Sequence, residues 1–203
     1  MPAVERSEEE HRAKMARIKA AKDRIYGSKT REKGLLIVHT GTGKGKSTAA
    51  WGMVARTLGH GLKVGVVQFV KGRRETGERK FLLRFPDQVT MAVMGEGFTW
   101  ESQDRERDIA AARAALAKAE QMLQDPELHL VVLDELNIVL RYGTLEVDEV
   151  LQVLAARRTE LHVVVTGRNA PEALVEAADL VTEMRPVKHP FREGIKGQVG
   201  IEF

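Results

Sequence analysis

The stretch Leu35-Leu36-Ile37-Val38-His39-Thr40-Gly41-Thr42-Gly43-Lys44-Gly45-Lys46-Ser47-Thr48 decides how this chain is read. Leu35 to Val38 is wholly apolar, which suits a short strand buried on both faces. A glycine-rich turn follows, and Ser47 to Leu58 reads as a helix closed by Gly59. A buried strand, a loop of small residues and a helix make a phosphate-binding arrangement, because backbone N–H groups can approach phosphate oxygens closely. Lys46 supplies a point charge to the phosphates, and Ser47 offers a hydroxyl to Mg²⁺. The nucleotide-binding set is therefore Thr40, Gly41, Thr42, Gly43, Lys44, Gly45, Lys46, Ser47 and Thr48. Thr40 stands where the pattern G-x-x-x-x-G-K-[ST] has its first glycine.

Working outward, strands are expected at Val64–Val70, Val89–Met94, Leu128–Leu133, Leu161–Thr166 and Leu180–Met184. Helices are expected over residues 102–124, 147–157 and 171–178, with Pro171 well placed as a first helical residue. The charged segment 71–88 reads as a surface loop with a short helix, and 186–203 as irregular chain or an edge strand. Alternating helices and apolar strands predict an α/β, P-loop NTPase-like (RecA-like) fold. Its sheet is mostly parallel, with helices on both faces.

The chain has 203 residues, 43% of them hydrophobic, which is enough for one sizeable core and excludes full disorder. It has no Cys, so disulfides, thiolate metal sites and Cys nucleophiles are excluded together. No apolar run approaches the roughly 20 residues that cross a bilayer. The N-terminus has no apolar secretory core, so a cytoplasmic address is expected, with no membrane partner. The net charge of +3 is unevenly spread. Residues 1–33 hold 10 Lys/Arg and 6 Asp/Glu, whereas residues 34–203 hold 22 and 23. Residues 5–25 are dense in helix formers, with Met15, Ile18 and Ile25 in a thin apolar stripe. The chain thus divides into a basic helical arm, 1–33, and a P-loop domain, 34–203. The arm suits an anionic partner or a solvated helix.

Two further features bear on chemistry. Leu130-Val131-Val132-Leu133-Asp134-Glu135 is an apolar strand ending in acids. Such acids hold Mg²⁺ in many P-loop proteins, or cap the next helix. Gly95-Glu96-Gly97-Phe98-Thr99-Trp100 sets two of the chain's ten aromatics in one glycine-flanked loop. They either join the core or form a platform for a large flat ligand.

With these motifs in order, the chain resembles the P-loop ATP:corrinoid adenosyltransferases of the CobA/BtuR type. The resemblance runs from about Gly34 to Phe203. Besides the loop, it is carried by Gln68-Phe69-Val70-Lys71-Gly72, Gly97-Phe98-Thr99-Trp100 and Leu133-Asp134-Glu135-Leu136-Asn137. Thr166-Gly167-Arg168 and Thr182-Glu183-Met184-Arg185-Pro186-Val187-Lys188-His189 complete it. It implies transfer of the 5′-deoxyadenosyl group of ATP to Co(I) of a corrinoid, with release of triphosphate. Lys46, Phe98, Trp100 and Glu135 are then the catalytic candidates. Ser47 and Glu135, supported by Asp134, are the candidates for Mg²⁺ or Mn²⁺. Arg168 and Arg56 are candidates for phosphate contacts, although Arg56 also suits a solvated surface. The resemblance further implies a reduced flavin or flavodoxin as electron donor, a homodimer, and an N-terminal helix that folds over the neighbouring active site. The competing readings are a P-loop small-molecule kinase and a nucleic-acid-associated ATPase; for the latter the body is not basic and lacks an evident strand-separating or base-stacking module.

Overall fold

The computed structural model describes residues 8–70, 76–93 and 104–202. The chain divides into two compact units, Met1–Glu32 and Lys33–Phe203. In the first, α1 (Glu8–Gly27) opens with Glu8, Glu9 and Glu10 and has Arg24 in its last turn, the polarity that suits a helix dipole. None of its residues is buried, and Met15, Ile18 and Ile25 are all exposed.

In the second unit the order is β1 (Leu36–Thr40), α2 (Lys46–Gly59), β2 (Lys63–Gln68), α3 (Gly77–Leu82), β3 (Val89–Val93) and α4 (Arg105–Gln124). Then come β4 (Leu128–Asp134), α5 (Leu136–Arg141), α6 (Val147–Ala155), β5 (His162–Thr166), α7 (Glu172–Ala177) and β6 (Leu180–Glu183). The six strands lie in the order β3-β2-β4-β5-β1-β6, and every pairing is parallel. One strand, β5, separates the loop-bearing β1 from the acid-bearing β4.

Successive residues along each strand send side chains to opposite faces of the sheet, and residues two apart share a face. Val38, Val67, Val131, Leu133 and Val163 join one core with α4, α5, α6 and α7. Ile37, Val64, Val66, Val132 and Val164 join the other with α2 and α3. A sheet buried on both faces explains why these strands read as unbroken apolar runs. Because all strands run the same way, Thr40, Gln68, Asp134 and Thr166 end at one edge of the sheet. That edge is where ligands bind in parallel α/β folds.

Gly65 shows how closely α4 packs. A Cβ there would lie 2.9 Å from Leu128 Cδ1 and 3.0 Å from Met122 Sδ. Gly65→Val is expected to lower the unfolding free energy by about 1–3 kcal/mol through overpacking. Urea denaturation measures it, and an unchanged midpoint would contradict the tight packing.

The short helix α5 was not anticipated, because its 6 residues are too few to display a helical period. Of the two readings of the tail, irregular chain is the one observed: it contains a 3₁₀ turn at Pro190–Glu193, and no described residue of 186–202 lies in a strand.

Candidate active site

Gly41 (φ 95°) and Gly45 (φ 109°) both take left-handed backbone, which glycine adopts without a Cβ clash. At Gly43 the limit is space, since a Cβ would come within 2.8 Å of Met184 O. The chain leaving β6 braces the loop here. Gly43 N donates to Met184 O at 2.6 Å, and Met184 N donates to Thr40 O at 2.9 Å. Thr40, in the place of the usual glycine, is almost buried, and its Oγ1 accepts from Ala170 N at 3.0 Å. The hydroxyl thus ties the start of the loop to the segment after β5.

Helix α2 starts at Lys46, and no side chain caps it. Its first-turn N–H groups therefore suit an anion, as at other helix starts. Lys46 is buried, and its Nζ donates to Gly43 O at 2.6 Å. Burial lowers the Lys46 pKa; Glu135 pulls it back up, while Arg168 and Lys44 lower it further. Ser47 is half-buried, and Thr42, Lys44 and Thr48 are exposed. Lys44 Nζ pairs with Glu202 Oε2 at 2.5 Å. His39 is buried, and its Nδ1 donates to Lys46 O at 3.2 Å, steadying the first turn from below.

At the end of β4 the backbone turns sharply, with Glu135 at φ 59°. Thr166 holds this corner through one hydroxyl. Its Oγ1 donates to Asp134 Oδ1 at 2.8 Å and accepts from Glu135 N at 2.9 Å. Gln68 Nε2 donates to the other Asp134 oxygen at 3.2 Å. Asp134 is thereby held through both of its oxygens. Glu135 differs, because its Oε2 is buried without a partner. Burial, and then the charge of Asp134, push its pKa to about 7, against the pull of Lys46 and Arg168. A buried carboxylate oxygen lacking a donor suits an incoming cation. Among the described residues no cluster of three or more His, Cys, Asp or Glu could hold a metal alone. A cation here would need phosphate oxygens as well, the usual habit of Mg²⁺.

Lys46, Glu135, Arg168 and Lys44 therefore share one electrostatic neighbourhood at the carboxyl edge of the sheet. Arg56 does not join it. It sits in the last turn of α2, ten residues past Lys46 or about 15 Å along the axis. Phe98 and Trp100 lie outside the described residues. The supporting Thr166, Gln68 and Asn137 were not singled out from sequence, though all three stand inside quoted motifs. Asn137 is fully buried, and its Nδ2 donates to Gly167 O at 3.0 Å, joining the acid corner to the Arg168 loop.

The family model described as ATP:corrinoid adenosyltransferase BtuR/CobO/CobP matches residues 32–203. The chain belongs to this family. A Corrinoid adenosyltransferase of Pseudomonas aeruginosa is 58% identical over 196 residues, covering 97% of both chains. The Corrinoid adenosyltransferase of Escherichia coli K12 is 45% identical over 197 residues, 97% of this chain and all of that one. Among solved structures, the flagellar accessory protein FlaH of Methanocaldococcus jannaschii superposes with a TM-score of 0.50 at 13% identity. It covers 77% of this chain and 73% of that one, a likeness of fold alone. Within this adenosyltransferase family the kinase and nucleic-acid readings lose their ground. Among the described residues no helix is long and apolar enough to cross a membrane.

Proposed function

We propose that the protein transfers the 5′-deoxyadenosyl group of ATP to the cobalt of a reduced corrinoid and releases inorganic triphosphate. The observation that carries this reading is the near-full-length match to corrinoid adenosyltransferases, made by a chain whose phosphate loop sets Lys46 in the electrostatic reach of Glu135. In the transfer, an electron pair of Co(I) forms the cobalt–carbon bond at C5′. The C5′–O bond breaks, and its electrons leave with the triphosphate. No proton moves at the attacking atom, so no general base is required.

The chemical burden falls on the leaving group, whose charge grows as the bond breaks. Preorganised N–H groups and cations act most strongly on charge that develops in the transition state. Lys46, the first turn of α2 and Arg168 suit that task. Mg²⁺ fits Glu135 Oε2, the Ser47 hydroxyl and phosphate oxygens, and when bound would neutralise part of the triphosphate charge. Thr166 and Gln68 keep the acid corner rigid.

Phe98 and Trp100 serve as a packing wall against the lower face of the corrin, excluding water and an axial ligand from cobalt. Phe98→Ala and Trp100→Ala should slow Co(II) reduction by a fixed reductant while ATP affinity stays within about 2-fold. Equal reduction rates in mutant and wild type would contradict that role. The basic arm acts as a lid over the corrinoid of a neighbouring subunit in a homodimer, and a reduced flavin or flavodoxin supplies the electron. A helix with no buried residue gains little from its own packing, which suits a mobile lid. Deleting residues 1–25 should leave ATP binding intact and weaken corrinoid binding. Unchanged corrinoid affinity would reduce the arm to a solvated helix.

The proposal as a whole is tested by mixing the protein with ATP and chemically reduced corrinoid and following the spectrum. A light-labile organocobalt product should form only with ATP; its absence would overturn the reading.

A further inference from the structure

Arg56, which stands away from the nucleotide loop, lines a different cavity. It measures about 310 Å³ and lies at the edge of the sheet where the strands begin. His162 is the first residue of β5, His129 the second of β4, and Leu62 directly precedes β2. Arg56 and His60 reach it from the C-terminal end of α2. The nucleotide loop meets the other end of that helix and the opposite edge of the sheet, so the two places are distinct.

The chemistry of the lining is consistent. Ile37, Leu62 and Leu130 give it apolar walls. Exposed Arg56, His60 and His129 and half-buried His162 are among its lining residues, and no carboxylate is among the described residues that line it. His162 Nδ1 accepts from Leu35 N at 3.2 Å, so the neutral ring carries its hydrogen on Nε2 and keeps that donor for another acceptor. The carbonyl dipole at the end of α2 would oppose an anion, but two of its last carbonyls are occupied. Thr57 O accepts from His60 N at 3.1 Å and Leu62 N at 3.2 Å, and Leu58 O accepts from Gly61 N at 2.9 Å. Apolar walls, a guanidinium and N–H donors without a competing acid match one class of ligand. The volume is at the small end of ligand pockets.

We propose that this cavity is a second ligand site, for a compact aromatic or alicyclic molecule carrying one anionic group such as a carboxylate, sulfonate or phosphate monoester. The apolar body fills the cavity, and the anion pairs with Arg56 in a fork geometry. Neither the loop nor the acid corner takes part.

Fluorescence titration of the full chain with anilinonaphthalene sulfonate, in saturating ATP, tests this. The same ring system without its sulfonate serves as the neutral comparison. The wild type should bind the sulfonate at least about 10-fold more tightly than the neutral probe, as one charge-assisted contact allows. Arg56→Glu should erase that preference and leave the neutral probe bound. Met53→Trp, which fills the cavity, should weaken both probes. Side-chain NMR signals of His129 and His162 should shift as the sulfonate is added. Equal affinity for both probes, a preference retained in Arg56→Glu, or unshifted histidines would each overturn the proposal.

Discussion

Lys46→Met is expected to lower kcat/KM for adenosyl transfer by about 10²–10³-fold, the size of loss seen when one preorganised donor to developing negative charge is removed. The reason is local. Lys46 Nζ already lies inside the loop, 2.6 Å from Gly43 O, and Lys46 is buried whereas Lys44 and Arg168 are exposed. Methionine preserves the length of the side chain and removes the charge. Burial already disfavours the Lys46 ammonium, so the variant should unfold within about 1 kcal/mol of the wild type. Steady-state kinetics and thermal melts together check this. Wild-type turnover, or a loss explained by unfolding, would contradict a charge role.

Glu135→Gln should separate function from stability. In the folded protein burial raises this carboxyl from its ordinary 4.5 to about 7. The folded state thus binds more protons than the unfolded state between those values. The stabilising contribution of the protonated acid is complete below pH of about 4.5 and is lost as pH rises through about 7. Above that, keeping the carboxylate ionised costs the unliganded protein about 3 kcal/mol. Glutamine removes that cost, less what an imperfectly bonded amide gives back. The variant should gain about 1–3 kcal/mol at pH of about 8 and show little difference at pH of about 5. Turnover should fall at least about 100-fold, because the carboxylate oxygen left without a donor is the one that suits a cation. Urea unfolding at the two pH values is decisive. A wild type as stable as the variant at the higher pH would mean that Glu135 carries no such strain.

The sequence made the strand-and-helix framework legible wherever a run was long or wholly apolar. Strands buried on both faces announced themselves, and the loop was unmistakable because its small residues stand between such a strand and a helix. Short elements were illegible: α5, with 6 residues, carries too little period to be recognised. At the site, charged groups stood out, but the hydroxyl and amide groups that position them did not. Thr166 serves Asp134 and Glu135 only because β5 lies beside β4, a neighbourhood that comes from strand order and not from spacing along the chain. Arg56 shows the converse. The family resemblance implied a phosphate role for it, yet the length of α2 carries it to the far edge of the sheet.

The central claim is that the triphosphate departs whole. Incubation of the protein with ATP, Mg²⁺ and Co(I) corrinoid, followed by identification of the phosphate product, tests it most directly. The account predicts one inorganic triphosphate for each adenosylcorrinoid formed. ADP as the product, or phosphate released without a cobalt–carbon bond, would contradict it.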